Sequence, residues 1–423
     1  MQTKRFACFV VVAVAMGGSA FAAAWNVRDF GAKGDGAADD TAAVQSAIDK
    51  GGEVYLPPGV YSCGTLYLRS GGGLRLDDGA TIRAIPDPSR YNRPDFCPQN
   101  GSGENKLAAH LIVAVGCTNV FVRGGTIDGN SPHFHKGMKI HYRSMRGRPT
   151  KSWPKWLPAQ MMFFCECDGV AVEDSRLVNA TFWSCFFHGC DNVVARRLDV
   201  RTDPKIAGDD GIDVDSCRNV VVEDCVVDTG DDAIAIRGSP ARLTDSSKAC
   251  EHVRVRNCRV RSEYANGVRV GVGGGTIRDV RVSNLTMENT RGAIHVNPRY
   301  SDAGRGVDIS DVTFENITAT CDNFIFLVPD FFFVKTNRFD RALHDIRFTN
   351  LSGTCRLPLV IRGNGLADVH DIVVEKSRFT FVPAPGMPSG DWEYFLLDGP
   401  GGTLVTNDTR NVVFRDVVFD DRR

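Results

Sequence analysis

Two short acidic phrases stand out: Gly208-Asp209-Asp210-Gly211-Ile212-Asp213 returns 22 residues later as Gly230-Asp231-Asp232-Ala233-Ile234-Ala235. If the fold brings these turns together, the carboxylates of Asp209, Asp210, Asp231 and Asp232 crowd one patch. Like charges a few ångströms apart repel, which raises the pKa of at least one of them and leaves a protonated acid beside an ionised base. General acid–base catalysis needs that pairing. Two other readings use the same residues: an Asp at a Gly-Asp-Asp turn can simply bond local amides, and clustered carboxylates can ligate calcium. The doubling argues against capping, because such crowding gives a fold no stability. Calcium stays open.

What must position these turns is a repeat. Cys117-Thr-Asn-Val120, Cys167-Asp-Gly-Val170, Cys190-Asp-Asn-Val193, Cys217-Arg-Asn-Val220 and Cys250-Glu-His-Val253 share one phrase, and apolar residues take the cysteine's place in Ile277-Arg-Asp-Val280, Ile309-Ser-Asp-Val312, Leu343-His-Asp-Ile346 and Val369-His-Asp-Ile372 before Thr409-Arg-Asn-Val412. Each phrase runs on in alternation, as in Val220-Val-Val222-Glu-Asp-Cys225, which is strand periodicity and not the three-to-four spacing of a helical solenoid. The interval varies, 23 residues from Val170 to Val193 but 33 from Val220 to Val253. That argues against a propeller and suits a parallel β-coil whose turns carry loops of different length. The expected class is therefore all-β, a single-stranded parallel β-helix, in which residues one coil apart stack at about 4.8 Å. Asp210 then lies near Asp232, and Asp209 near Asp231. Such a coil exposes a sheet edge at its start, and Thr41-Ala-Ala-Val-Gln-Ser-Ala-Ile48 reads as an amphipathic helix that covers it.

Composition bounds the partners. With 50 basic and 51 acidic residues the net charge is -1, so nothing global attracts a nucleic acid or an anionic membrane. Residues 1–24 carry Lys4 and Arg5, an apolar run from Phe6 to Met16 and then Ala22-Ala23-Ala24, the pattern of a cleaved secretory signal. The expectation is a secreted or periplasmic protein whose residues 25–423 form one domain, acting as a monomer. Fourteen cysteines less Cys8 leave an odd thirteen, so at least one thiol is unpaired, and the repeat positions suggest buried, stacked thiols and no metal site.

Two stretches extend this to a family. Val27-Arg-Asp-Phe-Gly-Ala-Lys-Gly-Asp-Gly-Ala-Ala-Asp-Asp-Thr41, followed by the helix and Gly52-Glu-Val-Tyr-Leu-Pro-Pro-Gly-Val-Tyr61, resembles the opening of pectin-lyase-type right-handed β-helices, a scaffold shared by glycosidases, lyases and tailspikes. Asp209-Asp210-Gly-Ile-Asp213, Gly230-Asp231-Asp232 and Gly267 to Gly271 resemble, in order, the motifs of glycoside hydrolase family 28, the polygalacturonase group. The resemblance implies hydrolysis of a pectin-type polysaccharide with inversion and no cofactor. Asp231 would be the general acid, while Asp210 and Asp232 hold and activate the attacking water.

The chain also departs from that family's usual pattern. Gly208-Asp209-Asp210 stands for Asn-Thr-Asp, Ala265-Asn266-Gly267 for Gly-His-Gly, and His295-Val296-Asn297 for Arg-Ile-Lys. Asn266 can hydrogen-bond but holds no charge, and a uronate loses two cations. Asp209, Asn266, Arg269, His295 and Asn297 are the expected substrate contacts, with Arg269 offering a cation from the coil after Asp232. The segment His133 to Trp156 holds Lys136, Lys139, Arg143, Arg146, Arg148, Lys151 and Lys155 with Tyr142, Trp153 and Trp156 and no acid. It reads as either a wall of a sugar cleft or a solvated basic loop. Phe324 to Phe333 reads as packing. Two rival functions share the scaffold. A polysaccharide lyase would need a basic residue among the acids, and a non-catalytic carbohydrate-binding adhesin would be indifferent to Asp231→Asn.

Overall fold

The residue just before the valine of each phrase bends the chain. Asn119, Asn192, Asn219, His252, Asp279, Asp311, Asp345, Asp371 and Asn411 all take a positive φ of 50–58°, a region that Asn and Asp enter readily because their short polar side chains bond locally. The next residue then points inward: Val120, Val193, Val220, Val253, Val280 and Val312 are each at most 1% exposed. Repeated once per coil, this bend and inward turn wind the chain into a right-handed parallel β-helix, as expected. A second line of bends was hidden in the repeat. Asn257, Asn284, Asn316 and Asn350 also have positive φ, and each side-chain amide donates to the one before it at 3.1, 3.1 and 2.7 Å.

The computed structural model describes residues 24–92, 97, 109–136, 158, 160–206, 208–298, 306–329, 341–363, 365, 368–383 and 402–423, with the backbone alone at 140–141 and 150–151. Residues 1–23, within the expected signal segment, and Lys139, Tyr142, Arg143, Arg146, Arg148, Trp153, Lys155, Trp156 and Phe331 to Phe333, lie outside it. Among the described strands every pairing is parallel except Ile140–His141 with Thr150–Lys151. Helix α1 (Thr41–Ile48) buries Val44, Ala47 and Ile48 against the first coils, as its pattern predicts. The preceding Asp40 accepts from the amides of Lys33 and Gly34 at 2.7 and 3.0 Å, tying down the opening loop. No helix among the described residues is long and apolar enough to cross a membrane.

The interior is one apolar column in which like stacks on like. Phe164 lies over Phe187 with ring centroids 5.3 Å apart. The thiols of Cys167, Cys190 and Cys217 donate to carbonyl oxygens at 3.3, 3.3 and 3.4 Å. All thirteen cysteines from Cys63 to Cys355 are free thiols, buried apart from the half-buried Cys117. Phe324 to Val328 are buried too, so the described part of that run is packing.

Seven parallel strands build one outer face: β1 (Gln160–Cys165), β2 (Trp183–His188), β3 (Ile212–Asp215), β4 (Ile234–Gly238), β5 (Asn266–Gly273), β6 (Thr276–Asn297) and β7 (Asp308–Leu327). Their register places Phe163, Phe186, Asp213, Ala235, Arg269, His295 and Phe326 in one row across the strands. A second row runs from Cys165 through His188 and Asp215 to Arg237, and Gly271 stands opposite Asn297.

Candidate active site

The acidic turns precede β3 and β4, so the pairing of those strands decides whether they meet. They do. The amide of Gly211 donates to the carbonyl of Asp232 at 3.0 Å, and that of Ala233 to the carbonyl of Asn266 at 2.8 Å. Asp210, Asp232 and Asn266 therefore line up one coil apart. Gly230 must be glycine: a Cβ there would lie 1.8 Å from the carbonyl of Ile206 and 2.6 Å from Oδ1 of Asp209. This close approach lets the second turn sit directly on the first.

Two arginines hold the carboxylates in place. Arg237 reaches back from β4, its Nη2 3.1 Å from Oδ2 of Asp210 and its Nε 2.9 Å from Oδ1 of Asp213, with its guanidinium 4.5 Å from the ring centre of Trp183. Such stacking on an aromatic face suits a desolvated cation. Arg269 places Nη1 3.2 Å from Oδ2 of Asp232. Oδ1 of Asp232 accepts from both nitrogens of Asn266, the backbone N–H at 3.1 Å and Nδ2 at 2.7 Å. Three donors on one carboxylate match its acceptor-only chemistry. Asp231 takes the amide of Asp232 on Oδ1 at 3.1 Å and, at 7% exposure against 0–2% for Asp209, Asp210 and Asp232, is the most accessible acid of the two turns.

Burial and crowding set the charges. Asp210 is pushed well above the usual carboxylate range, first by burial and then by Asp213 and Asp231, with Arg237 pulling the other way. Burial also raises Asp213, to about 7 despite Arg237. Groups this close titrate together, so the Asp210–Asp213 side of the cluster keeps a proton at neutral pH. Asp215 goes the other way. Burial favours its neutral form, but His188 and the amide of Ser239, 2.6 Å from Oδ1, outweigh that and lower it.

The structure thus brings together the acids Asp210, Asp231 and Asp232 with Asn266, Arg269 and His295. Asp209 is fully enclosed against Gly230. Asn297 is fully buried and donates from Nδ2 to the carbonyl of Val328 at 3.0 Å, and His295 meets Asn266 at 3.0 Å through Nδ1. Arg269 is a buried partner of Asp232, not a solvated strand arginine. Sequence reasoning missed Arg237, Trp183 and the His188–Asp215 pair, and gave Asp213 no role of its own. One signal for Arg237 was available: it stands where Asp215 stands a coil earlier, at an outward position of the strand after the second acidic turn. Of the basic segment, His135 packs here, its Nε2 2.9 Å from the carbonyl of Thr181, two residues before Trp183. Among the described residues no three His, Cys, Asp or Glu side chains are arranged to ligate an ion.

Comparison with known proteins places this geometry. Residues 98–244, which include both acidic turns, match the model of glycosyl hydrolases family 28. Over that stretch the chain is similar to that family. Residues 24–65 separately match the rhamnogalacturonase A/epimerase, pectate lyase-like model, the scaffold likeness expected for the opening segment. A probable polygalacturonase of Vitis vinifera is 25% identical over 353 residues, 69% of each chain. An endo-polygalacturonase of Pectobacterium parmentieri is 26% identical over 314 residues, 66% of this chain and 77% of that one. In fold, an exopolygalacturonase from Thermotoga maritima superposes with a TM-score of 0.73 at 22% identity, covering 93% of this chain and 91% of the other. With the polygalacturonase relatives, the match identifies a glycoside hydrolase, which sets aside the lyase and the non-catalytic adhesin.

Proposed function

We propose that this chain is a family 28 hydrolase that is exported and, as a monomer, cleaves glycosidic bonds in a pectin-type polysaccharide, galacturonan or a rhamnogalacturonan-like chain, with inversion at the anomeric carbon. The observation that carries the mechanism is the stacking of Asp232 directly on Asp210, with Asp231 beside it and the Asp210 carboxyl pushed up by burial and its acidic neighbours. Asp231, the most accessible of the three, protonates the leaving oxygen. Water sits between Asp232 and Asp210. Asp232, with its Arg269 and Asn266 donors, takes the water proton, while Asp210 in its protonated form orients the water by donating to it. An inverting mechanism needs room for that water between acid and base, which the offset of one coil plus one residue between Asp231 and Asp210 supports. The names of the relatives support a pectic substrate.

The test is a panel of pectic fractions with products resolved by size and the first-formed anomer read by NMR. Asp231→Asn keeps the shape and removes the transferable proton, so kcat falls about 10³-fold with binding retained. Activity left intact in that variant, or a product that retains configuration, would overturn the assignment.

A further inference from the structure

We propose that His295 is a positioning residue that locks the side-chain amide of Asn266 and, through it, the carboxylate of Asp232. This rests on Asp232 being the carboxylate that activates water.

The order of donors is forced. Oδ1 of Asp232 can only accept, so the end of the Asn266 amide 2.7 Å away is the NH2 group. The other end, Oδ1, faces Nδ1 of His295 at 3.0 Å and must therefore receive a proton from the ring. The hydrogen bonds run one way, from His295 to Asn266 to Asp232, and in the neutral ring Nδ1 carries the hydrogen. Flipping the amide would turn its oxygen on the carboxylate and its NH2 on the ring N–H, losing both bonds.

The surroundings are shaped around this relay. Gly292 stands opposite Asn266 in the register, and a Cβ there would fall 2.4 Å from Oδ1 of Asn266, so glycine alone leaves the amide its place. His295 is 3% exposed, and the ring of Phe326 meets it edge to face at 4.8 Å and 77°. Arg269, its neighbour in the row, binds the opposite oxygen of Asp232. With two donors on Oδ1 and one on Oδ2, the acceptor site left for a water is on Oδ2. Releasing Asn266 would let the carboxylate turn about its last bond and misdirect that site.

Two measurements test this. In nitrogen-15 histidine spectra, the signal absent from His295→Gln should show the Nδ1-protonated neutral form. An Nε2-protonated form overturns the relay whether or not the enzyme is active on a given substrate. In kinetics, His295→Leu should lower kcat roughly ten- to hundredfold, the scale of a small misplacement at a reacting centre, with KM within about twofold. Gly292→Ala, which displaces the amide without touching the ring, should do the same. His295→Gln, whose amide N–H reaches the same oxygen, should recover most of the rate. A raised KM with unchanged kcat would make His295 a substrate contact and end the proposal. Should wild-type protein with the Nδ1–H form hydrolyse no pectic chain, the role of Asp232 falls while the relay stands.

Discussion

Glu173 on the outer ladder of the coil and Asp213 on the floor beneath the acidic turns are both buried acids held by arginine, yet they shift in opposite directions. Glu173 accepts from Nε of Arg123 at 2.8 Å and Nε of Arg196 at 3.0 Å. Burial raises its pKa, but the two arginines outweigh it and the net shift is downward. Asp213 shares one arginine with Asp210, faces Asp232, Asp215 and Asp231, and ends near 7. The side chains of Arg123 and Arg196 are 34% and 37% exposed, that of Arg237 only 6%. The outer ladder has a cation surplus and water to share its charge. The floor has more carboxylates than cations and little water, so it stores a proton instead. Chemistry collects where pairing is incomplete, and the tidy ladder beside it is scaffold.

The harshest way to break the contrast is to remove the shared cation. Arg237→Leu strands Asp210 and Asp213 and strips the stacked partner from Trp183. Loss of one partner of a buried pair costs about 3–5 kcal/mol. The loss, read from urea unfolding midpoints, should be larger at pH 8 than at pH 5, because both acids are more fully protonated at the lower pH and need the cation less. Equal losses at both values would mean that Arg237 acts by packing alone.

Asp213→Asn should sharpen the contrast from the other side. A carboxyl whose folded pKa is raised binds its proton more tightly folded than unfolded. It therefore costs stability progressively as pH climbs from the unfolded value of 3.8 to the folded value of about 7. Asn carries no such cost. The variant should match wild type near pH 4 and exceed it at pH 8, by on the order of a few kcal/mol, as a higher Tm. A variant less stable at pH 8 than wild type would show that the Arg237 contact outweighs the burial of this charge.

How much of this could be read from residues alone follows the range of each interaction. The coil was legible because its rule is local: an Asn or Asp that accepts positive φ, then an inward valine, as at Asn192-Val193 and Asn219-Val220. The meeting of Asp210 with Asp232 was legible because the spacing between the two acidic phrases is one coil and short enough to carry no insertion. The partners of Arg237 were not, since a long side chain can reach a residue that its own position does not name. The bond from His295 to Asn266 was equally hidden. It spans 29 residues and depends on Gly292 standing opposite Asn266. The second ladder of bends went unread because Asn257 and Asn284 fall inside strands whose apolar alternation masks them.

The outer ladder supplies the smallest effect and the control for the rest. Glu173→Gln removes an acid whose folded pKa is depressed. The stabilisation it gives is thus present above the unfolded pKa and disappears as pH falls through the folded one. Because Arg123 and Arg196 each keep a third of their surface in water, screening holds the loss to about 1 kcal/mol or less at pH 7, and it shrinks as pH falls through the depressed folded pKa. Raising salt should shrink it further, whereas the pH 8 penalty of Arg237→Leu should hardly respond to salt, its partners being sealed from solvent. If the two variants showed the same salt dependence, the floor beneath the acidic turns would be as well solvated as the outer ladder, and the stored proton would lose its cause.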